Sequence, residues 1–239
     1  MIVREREFIE EIKSLGLGVF TLSDISRIIG KGKRYAALYA NRLVKRGVIV
    51  RIEKGKFALP DTDSLVVATN VTFPSYVSFL SALSYHRLTA QIPTSIQVVA
   101  GKSKKGISFK GEKISFVRFD RKRIFGYSRE KIGNGYAFIG EVEKIIVDAL
   151  FMPRYCPLGE LMEALDVADV DKLLRYALKM NSIVTLKRLG YLLELKNIDI
   201  YDEVKKYINR KYDLLNPLLP PAGETNRKWA LRLNEVLEC

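Results

Sequence analysis

Apolar residues recur at helical spacing at Phe8, Ile9, Ile12 and Leu15, and the glycines at 16 and 18 close the run, which predicts a first helix. Thr21 stands three residues before Asp24, a capping box with Asp in place of Glu, and Ile25, Ile28 and Ile29 give the next helix one apolar face up to Gly30. The stretch Lys33 to Arg46 also sorts on a helical wheel. Ala36, Ala40, Leu43 and Val44 share one face, while Arg34, Leu38, Asn41, Arg42 and Lys45 project from the other, with Tyr35 beside them. Gly47 stops this helix. Val48 to Ile52, the turn Glu53-Lys54-Gly55-Lys56 and Phe57 to Leu59 then predict a β-hairpin with a basic tip. Three helices and a hairpin predict a winged helix over residues 1–60.

Beyond Pro60, Asp61-Thr62-Asp63 marks the expected domain boundary, with 61–239 as a larger α+β domain whose last third is mainly helical. Tyr76 to Leu83 reads as a helix closed by turn chemistry at Thr89 to Pro93. Strands are expected at Ile96 to Ala100, Ile107 to Phe109, Ile114 to Phe119 and Tyr136 to Ile139. Glu141 to Met152 returns to helical spacing and Pro153 ends it. Further helices are expected at 158–165, 170–180, 182–195 and 200–212, and a final strand at Trp229 to Asn234.

Charge adds direction to this picture. The 239-residue chain carries a net charge of +13, and the first sixty residues hold 13 Lys/Arg against 6 Asp/Glu, whereas residues 151–239 are almost balanced at 14 against 13. Between Lys31 and Lys56 there are 9 basic residues and one acidic residue, Glu53. A major groove admits one helix whose outward side chains reach base edges, while basic groups around it hold phosphates. Arg34, Tyr35, Asn41 and Arg42 are the expected base readers. Lys31, Lys33, Lys45, Arg46, Lys54 and Lys56 are the expected phosphate or minor-groove contacts. The competing reading of each is a solvated face, and of the whole unit a protein-interaction module. The segment 102–131, with 11 basic residues against Glu112, Asp120 and Glu130, reads as a solvated face, as an extension of a DNA footprint or as a lure for an acidic partner.

The segment Ser81-Ala82-Leu83-Ser84-Tyr85-His86-Arg87-Leu88-Thr89-Ala90-Gln91-Ile92-Pro93 resembles the AbiEi-type antitoxins, also described as predicted transcriptional regulators of viral defence. Gly140 to Leu150, Lys187 to Glu194, Trp229 and Asn234 resemble further motifs of that family, with departures at Arg87 and at Ile145-Ile146-Val147. The resemblance implies a toxin–antitoxin role: repression of the chain's own operon at its operator through the winged helix, and neutralisation of a nucleotidyltransferase-type toxin through the C-terminal domain. Tyr85, His86, Arg188 and Tyr191 lie in these motifs as candidate partner contacts, with a structural role as the alternative. The second reading of the whole chain is a stand-alone or ligand-responsive regulator with no toxin partner.

Enzyme chemistry finds little footing. His86 is the sole histidine, too few for a His-based metal site or an acid–base pair, and it is expected to cap or hydrogen-bond within its motif. Glu141, Glu143 and Asp148, on a helix with Lys144, read as surface charge and ion pairs. Gly101, Gly106 and Gly111 do not match a phosphate-binding loop. No enzyme, cofactor or metal is expected. The charged opening Met1 to Glu7 lacks a signal-peptide core, no apolar run approaches the ~20 residues of a membrane span, and Cys156 and Cys239 are too few and far apart for a disulfide framework, so a cytoplasmic protein with no membrane partner is expected.

Overall fold

Local chemistry sets the first elements. In the computed structural model, which describes residues 5–237, α1 (Glu5–Ser14) buries Phe8 and Ile12 and ends where Gly16 adopts φ +62°. Met1 to Arg4 and Cys239 lie outside the described residues. After β1 (Phe20–Thr21), the capping box forms as expected: the Thr21 hydroxyl accepts from the Asp24 amide and the Asp24 carboxylate accepts from the Thr21 amide at 2.8 Å. Helix α2 (Leu22–Ile29) buries Ile25 and Ile29 and stops at Gly30, φ +64°. Helix α3 (Lys33–Lys45) buries Ala36, Ala40 and Leu43, and the two small alanines let it lie against α2. The hairpin β2 (Val50–Glu53) and β3 (Lys56–Ala58) joins β1 in an antiparallel sheet of order β1-β3-β2. Fold class and winged helix are as the sequence predicts.

The chain divides into two compact units, and the division does not fall at residue 60. The first comprises the described residues up to Val77 together with Thr94–Phe119 and Ser128–Ile139. It holds the winged helix, α4 (Ser64–Asn70) and a six-stranded sheet of β4 (Ser75–Val77), β5 (Ile96–Ala100), β6 (Ile107–Phe109), β7 (Glu112–Arg118), β8 (Tyr127–Ile132) and β9 (Gly135–Gly140). Its order is β6-β7-β5-β4-β9-β8, mixed in direction: β4 runs antiparallel to β5 and parallel to β9, and β5 runs parallel to β7. The physical reason the hairpin belongs here is its second face. Val50 and Ile52 of β2 pack into a core with Val98, Phe109 and Ile114 of the larger sheet. Tyr76 and Val77 correct the expected helix over 76–83. They form the buried strand β4, and the helix starts only at Phe79, because a short apolar run cannot declare its period.

The second unit comprises Ser78–Pro93, Asp120–Tyr127 and the described residues from Gly140. It holds α5 (Phe79–Tyr85), α6 (Val142–Phe151), α7 (Met162–Val167), α8 (Val170–Met180), α9 (Ile183–Leu195), α10 (Tyr201–Val204) and a small sheet of β10 (Asp213–Leu214), β12 (Leu231–Leu233) and β11 (Glu224–Asn226). The helix expected over 200–212 shrinks to α10 and one 3-10 turn. Helix α6 is surrounded by α5, α7, α8 and α9, and its residues 143–150 are all buried. The expected ion pairs form, but Lys144 and Asp148 correct the expected surface setting, because both lie inside. Lys144 and Asp148 form a fully buried ion pair, and Asp148 also accepts from the Ser78 hydroxyl at 2.8 Å. Burial pushes the Lys144 ammonium below its ordinary value, against the pull of Asp148, and Phe125 stands 4.7 Å from it. Glu143, nearly buried, pairs with Lys172 at 3.0 Å.

The motif around 187–194 is likewise internal. Lys187 is buried and holds Asp213 at 2.7 Å and Asn209 at 2.8 Å. Gly190 admits Trp229: a Cβ there would lie 2.1 Å from the indole, whose N–H donates to Glu194. Burial pushes the Cys156 thiol up to about 12, so it is an inert core residue. Among the described residues no helix is long and apolar enough to cross a membrane, and no group of three or more His, Cys, Asp or Glu is placed to hold a metal ion.

Candidate nucleic-acid interface

The apolar face of α3 is spent on α2, so its other face is solvent-exposed: Lys33, Arg34, Tyr35, Leu38, Asn41, Arg42 and Lys45 all stand out, with Lys31 in the preceding turn. Among the described residues, no ion pair or hydrogen bond engages the side chains of Lys31, Lys33, Arg34, Arg42, Lys45 or Lys54. Unpaired cations suit a phosphate-binding surface, since a cation already paired within the protein must give up that partner before it can neutralise a phosphate and release its counterion.

The remaining candidates are differently placed. Arg46 pairs with Glu5 at 2.8 Å. Lys56 is half-buried and pairs with Glu53 at 2.8 Å while donating to the Val71 carbonyl at 2.5 Å, which draws it inward from the expected basic tip. The tip is left to Lys54, beside Gly55 at φ +77°. Asn41 accepts a 2.6 Å hydrogen bond from Arg51 on β2. Arg51 is exposed, its guanidinium 5.7 Å from the Phe57 ring, and it borders an open groove of about 620 Å³ with Leu38, Asn41, Arg42, Val44 and Lys45.

Arg51 is the residue the sequence reading missed. Its signal was the alternation Val50-Arg51-Ile52, in which the apolar neighbours turn to the core and Arg51 must turn the other way. Arginine suits this place, because a fork held at one N–H by Asn41 keeps its remaining donors aimed and loses less freedom on binding.

The four candidate partner contacts lie in the other unit. Tyr85 is exposed, and its ring meets His86 edge-on at 5.4 Å. His86 donates from Nε2 to the Gly140 carbonyl at 2.8 Å, the expected hydrogen bond within its motif. Tyr191 is half-buried. Arg188 is buried and donates to the Leu150 carbonyl at 2.8 Å and the Leu214 carbonyl at 3.0 Å, in keeping with the structural alternative for this residue. Burial brings its guanidinium down to about 10, and its bonds to these two carbonyls brace the core.

Helix order and the hairpin define the class of the first unit's N-terminal part, a winged helix, and α3 presents an exposed cationic face. Residues 7–60 match the model of the family described as "Transcriptional regulator, AbiEi antitoxin". Over 94% of its length the chain is also similar to 89% of the RV2827C protein from Mycobacterium tuberculosis, known from a crystal structure, with a TM-score of 0.63 and 14% identity, a likeness of fold. No curated protein matches the chain.

Proposed function

We propose that the chain binds the operator of its own operon and represses it, with α3 in the major groove and Lys54 beside the adjacent backbone. The observation that carries this is the row of cations on α3 without partners among the described residues, facing away from its alanine-lined inner side. Arg34 and Arg42 read bases, Arg51 with Asn41 fixes the register, and Lys31, Lys33 and Lys45 hold phosphates. In the same proposal the second unit acts as an antitoxin against a nucleotidyltransferase-type toxin, which is supported by the AbiEi match of residues 7–60. The protein works without a catalytic step of its own, in the cytoplasm.

A gel-shift titration of the full-length protein on its upstream region tests the first half. Binding should weaken steeply as salt rises, and no shift at low salt overturns it. Co-expression with the adjacent toxin gene tests the second half. Restored growth together with co-purification is expected, and no rescue overturns it. A ligand-responsive regulator is the second reading, favoured by a cavity of about 220 Å³ inside the first unit, where Lys13 and Asp61 meet at 2.7 Å beside Gly133 and Asn134.

A further inference from the structure

The sheet beyond the winged helix brings a second basic segment to the hairpin. Strand β6 runs beside β2, and Ile107 shares the core that Val50 and Ile52 enter. The loop joining β5 to β6, Gly101-Lys102-Ser103-Lys104-Lys105-Gly106, is thereby laid against the hairpin turn. Its middle lysine is the anchor. Lys104, only 15% exposed, pairs with Glu53 and stands 5.5 Å from the Phe116 ring, while Lys56 takes the other Glu53 oxygen at 2.8 Å. Burial raises the Glu53 carboxyl, but these two ammonium groups outweigh it and hold the group below its ordinary value. Thus the sole acidic residue between Lys31 and Lys56 is neutralised twice over.

On either side of that anchor Lys102 and Lys105 are exposed, as is Lys54 on the adjoining turn, and among the described residues no ion pair or hydrogen bond engages any of the three. An extended chain places residues three apart within about 10 Å. The two lysines can therefore follow one phosphate backbone past the tip of the wing.

We propose that the 101–106 loop is a second wing: Lys104 docks it on Glu53, and Lys102 and Lys105 bind the phosphate backbone of duplex DNA next to the segment that Lys54 contacts. The proposal rests on the DNA-binding reading of α3 and deepens it by lengthening the footprint on one side. These contacts carry affinity and no sequence preference, because phosphates are the same at every base pair. The exposed Arg129 and Lys131 provide the internal control. They sit on β8, at the sheet edge opposite β6, where no such continuity with the hairpin exists.

The test compares full-length wild type, Lys102→Ala/Lys105→Ala and Arg129→Ala/Lys131→Ala on the operator duplex and on a random duplex of equal length, from 50 to 200 mM salt. Two lost phosphate contacts lower the slope of log affinity against log salt by about 1.8. Over that range the loop variant's affinity should fall about 12-fold less than that of the wild type, on both duplexes alike, with operator preference retained. The control pair should keep the wild-type slope. A wild type that binds with an unchanged slope in the loop variant, or an equal drop in the control pair, overturns the second wing alone. A wild type that binds neither duplex overturns the α3 reading and the second wing with it.

Discussion

Helices α3 and α6 look alike as sequence, each a short run of aliphatic residues interrupted by charges, yet they use those charges in opposite ways. On α3 only one face is apolar, with Ala36, Ala40 and Leu43 turned into the core of the winged helix, and the cations on the other face stay in water. On α6 the aliphatics go nearly all the way round, four helices enclose it, and Lys144 must find Asp148 one turn away inside the core. A charge is available to a ligand only if the fold leaves its face uncovered. The same Lys that would bind a phosphate on α3 is a structural pair on α6.

Breaking the buried pair gives the largest expected effect. Asp148→Ala or Lys144→Ala leaves one charge uncompensated in the core and should cost about 3–5 kcal/mol, read by urea denaturation. An apolar replacement of both partners should recover most of the loss, whereas equal damage from single and double variants would mean that packing, and not the pair, is being measured. Next comes α3. Arg34→Ala or Arg42→Ala should weaken operator binding by about 1–3 kcal/mol relative to random DNA while leaving the urea midpoint in place. An equal loss on both duplexes would reassign these residues as phosphate contacts and leave the reading to Arg51.

Thr21→Ala removes the cap that starts α2, the helix against which α3 lies, and should cost about 1 kcal/mol of stability. If operator affinity at low temperature also falls by a larger amount, the placement of α3 depends on that cap. The smallest effect is on pH dependence. Because the Glu53 carboxyl is held below its ordinary value of 4.5 in the folded protein, its contribution is present above that value and lost as pH falls through the lower one. The stability of wild type should therefore decline over that acid window more than that of Glu53→Gln, by a few tenths of a kcal/mol at most after solvent screening. Identical acid profiles would show that the Lys104 and Lys56 pairing adds nothing to stability.

Signals written within a few residues of one another were legible in the chain. The capping box at Thr21, the glycine stops at 16, 30 and 47 and the turn at Gly55 all depend on bonds between near neighbours, so the winged helix could be drawn from them. The ranges of α8 and α9 were legible for the same reason, being capped by Asp169 and Ser182. Strand β4 was not, since Tyr76 and Val77 carry no alternation and are defined by pairing with β5 and β9. Nor was the true setting of Lys56, which the Val71 carbonyl and Glu53 draw inward from fifteen and three residues away.

The sequence by itself therefore determined the order and capping of the first three helices and the cationic outer face of α3, because those follow from periodicity and contacts along one helix. The tertiary structure alone decided which charges remain available. It set Arg51 on Asn41 and brought the 101–106 loop to Glu53, and it enclosed Lys144, Lys187 and Arg188. The reason is that exposure belongs to the neighbours a residue is given by distant parts of the chain, and no window along the sequence contains them.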